Sequence, residues 1–345
     1  MSGLESPTAE KQISRPPTGW EIHSNKIFRA LTYAFAWATV LLILFIVFEI
    51  SRQAMPAVKS YGLKFITDRT WDPNRHEYGI LPQIWGTLFS SVLALIFGTI
   101  LGLAVAVFLS ERFFSGFLFA ILRLFGLQFH PFWGRWPNRM ETLLRNLVDL
   151  LAAIPSVVYG LWGIFVVIPM IRPMCDWLSA HLGWIPLFGS TLSGKGMLPA
   201  ALVLAIMILP TISSISRDAL VAVPPKLREA AYGLGATRWE AIFGVMIPTA
   251  QTGIVGSILL AFGRALGETM ALAMLVGGVN SISVSLFSPA NTLAALLVNN
   301  FPEANTTESV SVLMYAALVL MAITLGVNVL GSWILLRSAP AKGGR

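Results

Sequence analysis

Arg264 and Glu268 lie four residues apart in an otherwise apolar run, 253–276, that is long enough to cross a membrane as a helix. A charge near mid-bilayer costs about 2.5–3.5 kcal/mol on insertion scales, so a chain that keeps two of them there has a use for them. At i and i+4 of one helix they would share a face, and that face can turn from lipid toward a protein-lined path. A guanidinium in such a path is a planar fork that matches the oxygens of an anion. A carboxylate beside it can neutralise it while no anion is present. The alternative is that the two charges pair with each other, or with a partner helix, and only fix packing. Arg264 is the only basic residue within the predicted spans, whereas Asp149 reads as an interfacial residue at the end of its span.

Six apolar runs must position these residues: 31–50, 84–109, 147–171, 198–215, 253–276 and 312–336. Each approaches or exceeds the length a helix needs to span hydrocarbon. Lys and Arg number sixteen in segments 1–30, 110–146, 216–252 and 337–345 and seven in 51–83, 172–197 and 277–311. The positive-inside rule therefore predicts both termini in the cytoplasm. Segment 51–83 is long enough for a small external lobe. Segment 110–146 mixes many Phe and Trp with Arg112, Arg123, Arg135 and Arg139, which suits a helix lying in the interface. The stretch 292–298 is apolar but too short to cross, so it reads as re-entrant or packed on the bundle. Gly263 and Gly267 form a small-xxx-small pair, fit for a seam with a second membrane subunit or for ordinary close packing. Pro155 and Pro210 can kink the third and fourth spans.

Composition agrees with an integral membrane protein: 55% of the 345 residues are hydrophobic and 12% are charged. The net charge of +7 is scattered over the loops between apolar runs and forms no basic stripe, which argues against nucleic acid. One cysteine excludes an intrachain disulfide and a cysteine metal cluster, and four dispersed histidines give no metal site. The polar N-terminal residues show no cleavable signal pattern. The run from Gly189 to Gly196 resembles a P-loop, but it lacks the final Ser or Thr and follows no strand, so it is rejected. No catalytic residue is expected, and no soluble catalytic or signalling domain is in sight.

The loop after the fourth run reads VPPKLREAAYGLGATRWEAIFGVMIPTA. Pro224 and Pro225 suit a helix start, Gly233 and Gly235 a stop. Thr237 and Glu240 have capping-box spacing for a second short helix, and Pro248 marks the approach to the fifth span. Glu229, Ala230, Ala231, Gly235, Ile247 and Pro248 resemble the EAA loop of ABC importer permeases. The segments YGILPQIWGTLFSSVLAL (78–95), LLAAIPSVVYGLWG (150–163), FGRALGETMALAMLVG (262–277) and LFSPANTLAALLVNNFPEA (286–304) are similar to phosphate permeases of the PstC type. The resemblance runs from about Tyr78 to the sixth span.

This resemblance implies an all-α membrane protein, a six-helix type I ABC importer permease with a cytoplasmic coupling helix. It implies a bacterial inner-membrane subunit that moves inorganic phosphate inward with a PstA-like second permease, a PstB-like ATPase dimer and a PstS-like external binding protein. This chain would bind no cofactor of its own, with ATP and Mg held by the ATPase. The EAA residues would dock the ATPase, and Arg264 and Glu268 would line the path. The expected organisation is a cytoplasmic tail (1–30), a first span with external loop (31–83), a permease core (84–336) with coupling loop 216–252, and a short tail (337–345). Two other readings compete: a permease for another oxyanion, such as sulfate or molybdate, and a stand-alone secondary transporter. The second would call for inverted repeats or several intramembrane acids.

Overall fold

The structure is a computed structural model, and it describes residues 18–111 and 136–338, with the side chains of 136–140 and 338 excepted. It divides into two units, one ending at Arg52 and one beginning at Gln53.

In the first unit the chain is one continuous helix, the greater part of α1 (Gly19–Tyr61). Its apolar side chains point outward all round, Phe35, Trp37, Leu41 and Phe45 among them. A helix that is hydrophobic on every face and covers none of it suits lipid.

The second unit is a helical bundle with a small lobe at one end. Past α1, a turn of helix α2 (Lys64–Thr67) leads into a two-strand ribbon, β1 (Trp71–Asp72) paired antiparallel with β2 (Glu77–Tyr78). Asp72 accepts from the Asn74 N–H and starts the turn between them. Phe65 stacks on Tyr315 at 4.5 Å, and Tyr61 meets Tyr78 edge-on, so aromatic packing holds the lobe. This is the lobe expected from segment 51–83.

The bundle is built on α3 (Leu81–Ser110) and α6 (Met197–Val221). Gly98 and Gly102 of α3 lie so near Ile208 and Ile212 of α6 that an added Cβ would approach them to 2.9 and 2.8 Å. Missing side chains thus let the two backbones close up, as small residues do between membrane helices. Pro210 is carried inside α6 without ending it. The central core joins α3 and α6 to Ser156–Leu182 (α5) and to the ends of α9 (Gln251–Leu266) and α10 (Met270–Leu275). Helix α12 (Thr307–Ser338) packs along α9.

Among the described residues, five helices are long and apolar enough to cross a membrane. A sixth crossing arises if Arg238–Thr249 (α8) and α9 are taken together across their 71° bend.

Two runs differ from expectation. The third does not begin at 147: residues through Ala153 belong to α4 (Trp136–Ala153), and Pro155 opens α5. The residue before a proline is pushed out of helical geometry, which ends α4 there. Asp149 lies on α4 in an i,i+4 pair with Arg145. The fifth run is broken at 267–269, as described below. Most of the aromatic insert, residues 112–135, lies outside the described residues, as do the tail up to residue 17 and residues 339–345.

Residues 292–298 fall within α11 (Leu293–Asn300), eight residues that are buried at their start. Thr292 accepts from the Ala295 N–H, and Thr87 of α3 accepts from the Leu293 N–H at 2.9 Å. Gly86 comes so close that a Cβ would meet the Asn291 carbonyl oxygen at 1.9 Å. The short apolar stretch is therefore packed on the bundle, with its first amides capped by neighbours.

Candidate functional site

Two places in the bundle carry charge that apolar helices must manage: the turn after α6 and the break after α9.

The turn follows the sequence closely. Helix α7 (Pro225–Gly233) has Pro225 in its first turn, where a missing N–H costs nothing. It carries Glu229 and Ala230 exposed and Ala231 buried. Gly235 has φ of +86°, a left-handed conformation that a side chain would resist, and the chain reverses there. The Thr237 hydroxyl then accepts from the Glu240 N–H, while the Glu240 carboxylate accepts from the Thr237 N–H at 2.7 Å. That backbone donor, with the Thr237 hydroxyl, holds the Glu240 carboxyl below the usual carboxylate range. Ile247 is half-buried and Pro248 exposed at the end of α8. Around the turn, Leu227, Tyr232, Leu234, Trp239 and Phe243 all face outward, Leu234 with 90% of its surface exposed. So many exposed apolar side chains beside polar ones form a surface suited to another protein.

One residue here escaped the sequence reading. Glu111, at the end of α3, has a side chain only 3% exposed and binds two arginines from the turn. Arg228 of α7 approaches it at 2.9 Å and Arg238 of α8 at 3.8 Å. Arg238 also donates to the Glu111 carbonyl. These residues, with Glu141, Arg217 and Tyr232, border a cavity of about 670 Å³. The sequence held one faint signal: Glu111 is the first charge after a 30-residue apolar helix.

The second place corrects an expectation. Arg264 and Glu268 do not share one helical face, because α9 ends at Leu266 and α10 begins at Met270. Gly267 caps α9, and the Thr269 hydroxyl donates to the Gly267 carbonyl, a local bond that competes with helix continuation. Glu268 therefore lies in the break. Among the described residues, no ion pair within 4.0 Å joins it to Arg264. Arg264 is exposed and Glu268 half-buried.

The glycines of α9 also serve this chain itself. A Cβ on Gly263 would meet Asn328 of α12 at 2.9 Å, and one on Gly253 would meet Ala219 of α6 at 2.4 Å. Gly263 is thus an internal packing contact, and Gly267 is the cap of α9.

The P-loop-like run fails on geometry too. The Gly196, Met197 and Leu198 amides donate to the Leu275, Ser288 and Leu286 carbonyls, so they are not free for a phosphate.

A multi-helix membrane bundle with an ordered turn at one end and a charged break within a span belongs to the class of transport permeases. Residues 132–342 match the family described as binding-protein-dependent transport system inner membrane component, and the chain belongs to that family. It is 34% identical over 319 residues to a phosphate transport system permease protein, PstC, of Mesorhizobium japonicum, covering 91% of this chain and 90% of that one. It is 35% identical over 327 residues to the PstC protein of Haemophilus influenzae, covering 92% and 95%. Among solved structures it is similar in fold to a chain of a bacterial alginate ABC transporter in complex with an alginate-bound periplasmic protein. The TM-score is 0.58 at 14% identity, covering 92% of this chain and 98% of that one.

Proposed function

We propose that this chain is the membrane-spanning permease subunit of a phosphate ABC importer, a non-catalytic subunit driven by a separate ATPase. The substrate reading rests on relatives with 34% and 35% identity along nine-tenths of the chain that are named phosphate transport permeases. Its mechanism rests on one observation: Arg264 is exposed within a span with no ion-pair partner among the described residues. A cation held at such depth must be met by a polar group from outside the chain. Phosphate, passing along a path shared with a PstA-like second permease, would take that position, and the guanidinium offers it two parallel donors. Glu268, in the adjacent break, lines the same path and keeps the local field from trapping the anion.

Six crossings, with α8 and α9 as one bent span, and the distribution of Lys and Arg support cytoplasmic termini. Residues 1–30 and 337–345 are then tails, 31–83 the first span and outer lobe, and 84–336 the core. On that orientation α7 is a coupling helix. Glu229, Ala230, Ala231, Gly235, Ile247 and Pro248 form the surface that meets a PstB-like ATPase dimer, which holds ATP and Mg. A PstS-like binding protein delivers substrate from outside.

The test is labelled-phosphate uptake in a bacterial strain lacking its own high-affinity phosphate system, with this chain co-expressed with a second permease, an ATPase and a binding protein from the same organism. Uptake that depends on this chain and ignores excess sulfate and molybdate is expected. Uptake displaced by either anion would transfer the substrate to that oxyanion and leave the architecture standing.

A further inference from the structure

The buried Glu111 carboxylate has no place in the path or on the ATPase-facing surface, yet the turn is built around it. Arg228 comes from one arm of the turn and Arg238 from the other. Both converge on a single carboxylate at the end of α3, and Arg238 also takes the last carbonyl of the helix. A helix C-terminus carries partial negative charge, so the two guanidinium groups meet the carboxylate and the dipole together. Beneath them, Ala106 and Val107 of α3, Leu220 of α6, and Ile242 and Met246 of α8 form a separate apolar cluster. The turn is thus fastened twice, by charge and by packing, to the pair α3–α6. That pair is held at close approach by Gly98 and Gly102, and α9, which carries Arg264, packs on both members.

We infer that Glu111 is a positioning residue for coupling: it clamps both arms of the α7–α8 turn to the end of α3, so that displacement of α7 moves α3 and α6 as one body instead of flexing the turn. The apolar cluster alone can slide, because dispersion contacts have no direction. Ion pairs at 2.9 and 3.8 Å, one from each arm, restrain the turn from two sides of the carboxylate, and the Arg238 bond to the Glu111 carbonyl adds a directed contact. This inference rests on the proposed coupling role of α7. It adds that the force leaves the turn through α3 rather than along the chain into α8 and α9, whose axes meet at a 71° bend.

The test uses the whole transporter, purified with both permeases, the ATPase and the binding protein and reconstituted in lipid vesicles. Phosphate taken up per ATP hydrolysed is measured for Glu111→Gln and Glu111→Asp. Glu111→Gln keeps the shape and removes the charge; it is expected to lower that ratio at least fivefold in fully assembled complex, with Glu111→Asp restoring most of it. A residue that only stabilises the fold would lower the yield of complex and leave the ratio intact. An unchanged ratio in Glu111→Gln overturns the inference.

Should that variant fail to assemble, Arg228→Gln and Arg238→Gln, which alter partly exposed side chains, decide the matter. A lowered ratio in both supports the clamp, and a wild-type ratio in either one overturns it. Glu229→Arg separates the two levels. Normal coupled uptake in Glu229→Arg removes the coupling role of α7 itself. Uncoupling in Glu229→Arg with an unchanged ratio in Glu111→Gln removes only the clamp.

Discussion

Glu111 and Arg264 are both charges at or near the ends of apolar helices, and the fold treats them in opposite ways. Glu111 is sealed in and met by two arginines of its own chain. Arg264 is left exposed, with its nearest acid in sequence, Glu268, carried off by a helix break. Burying a carboxylate without a partner is costly, and removing one member of a buried pair typically costs about 3–5 kcal/mol, so the chain completes the first site internally. The second site has no such ion pair among the described residues. Charge satisfied within the chain serves its architecture, while charge left unsatisfied marks where something else must come.

The sharpest way to break this contrast is Arg264→Gln. Loss of a charge-assisted contact worth about 1.5–3 kcal/mol predicts a fall in phosphate uptake of roughly ten- to a hundredfold, with normal assembly with the partners. Full uptake would make Arg264 a packing residue and erase the distinction.

Additivity sharpens it further. Measured as thermal stability of the purified complex without phosphate, Glu268→Gln combined with Arg264→Gln is expected to give effects that add within about 0.5 kcal/mol, because the two groups are not paired with each other. Glu111→Gln combined with Arg228→Gln is expected to depart from additivity by about 0.5–3 kcal/mol, measured as thermal stability of the purified complex. Strong coupling in the first cycle, or none in the second, would reverse the assignment of paired and unpaired charge.

The smallest effect concerns the cap that sets the second arm of the clamp. Thr237→Ala is expected to speed amide exchange in the first turn of α8 roughly fivefold, the size of a typical cap loss, with uptake little changed. Because folding lowers the Glu240 pKa, the cap stabilises fully above the ordinary carboxylate range and is lost as pH falls below that range through the lowered folded value. Exchange of these amides in the unaltered protein should therefore rise on acidification. A flat pH profile would show that Glu240 does not hold the turn.

Much of this arrangement is legible in the residues. The α7–α8 turn is local chemistry: Pro225, Gly235 and the Thr237–Glu240 box act within a few residues of themselves, and the structure reproduces each. Apolar length identified the spanning segments for the same reason, since the cost of exposing a polar backbone to lipid depends on composition along a single helix. Where weak local signals competed with a strong apolar pattern, the pattern misled. The run 253–276 reads as one helix, and only Gly267 and Thr269 hint at the break. Leu147 to Ala153 look like part of a span, and only Pro155 hints that they are not.

The sequence by itself determined that this is a many-helix membrane protein and where its ordered turn lies. These follow from transfer free energies and caps that act over one helix. Tertiary structure alone decided which charges find each other. Glu111 is more than a hundred residues from Arg228 and Arg238 in the chain and within 4 Å of both in space. Arg264 and Glu268 are four residues apart and yet unpaired. Sequence spacing predicts contact only along an unbroken helix, and an ion pair forms where packing brings two helix ends together.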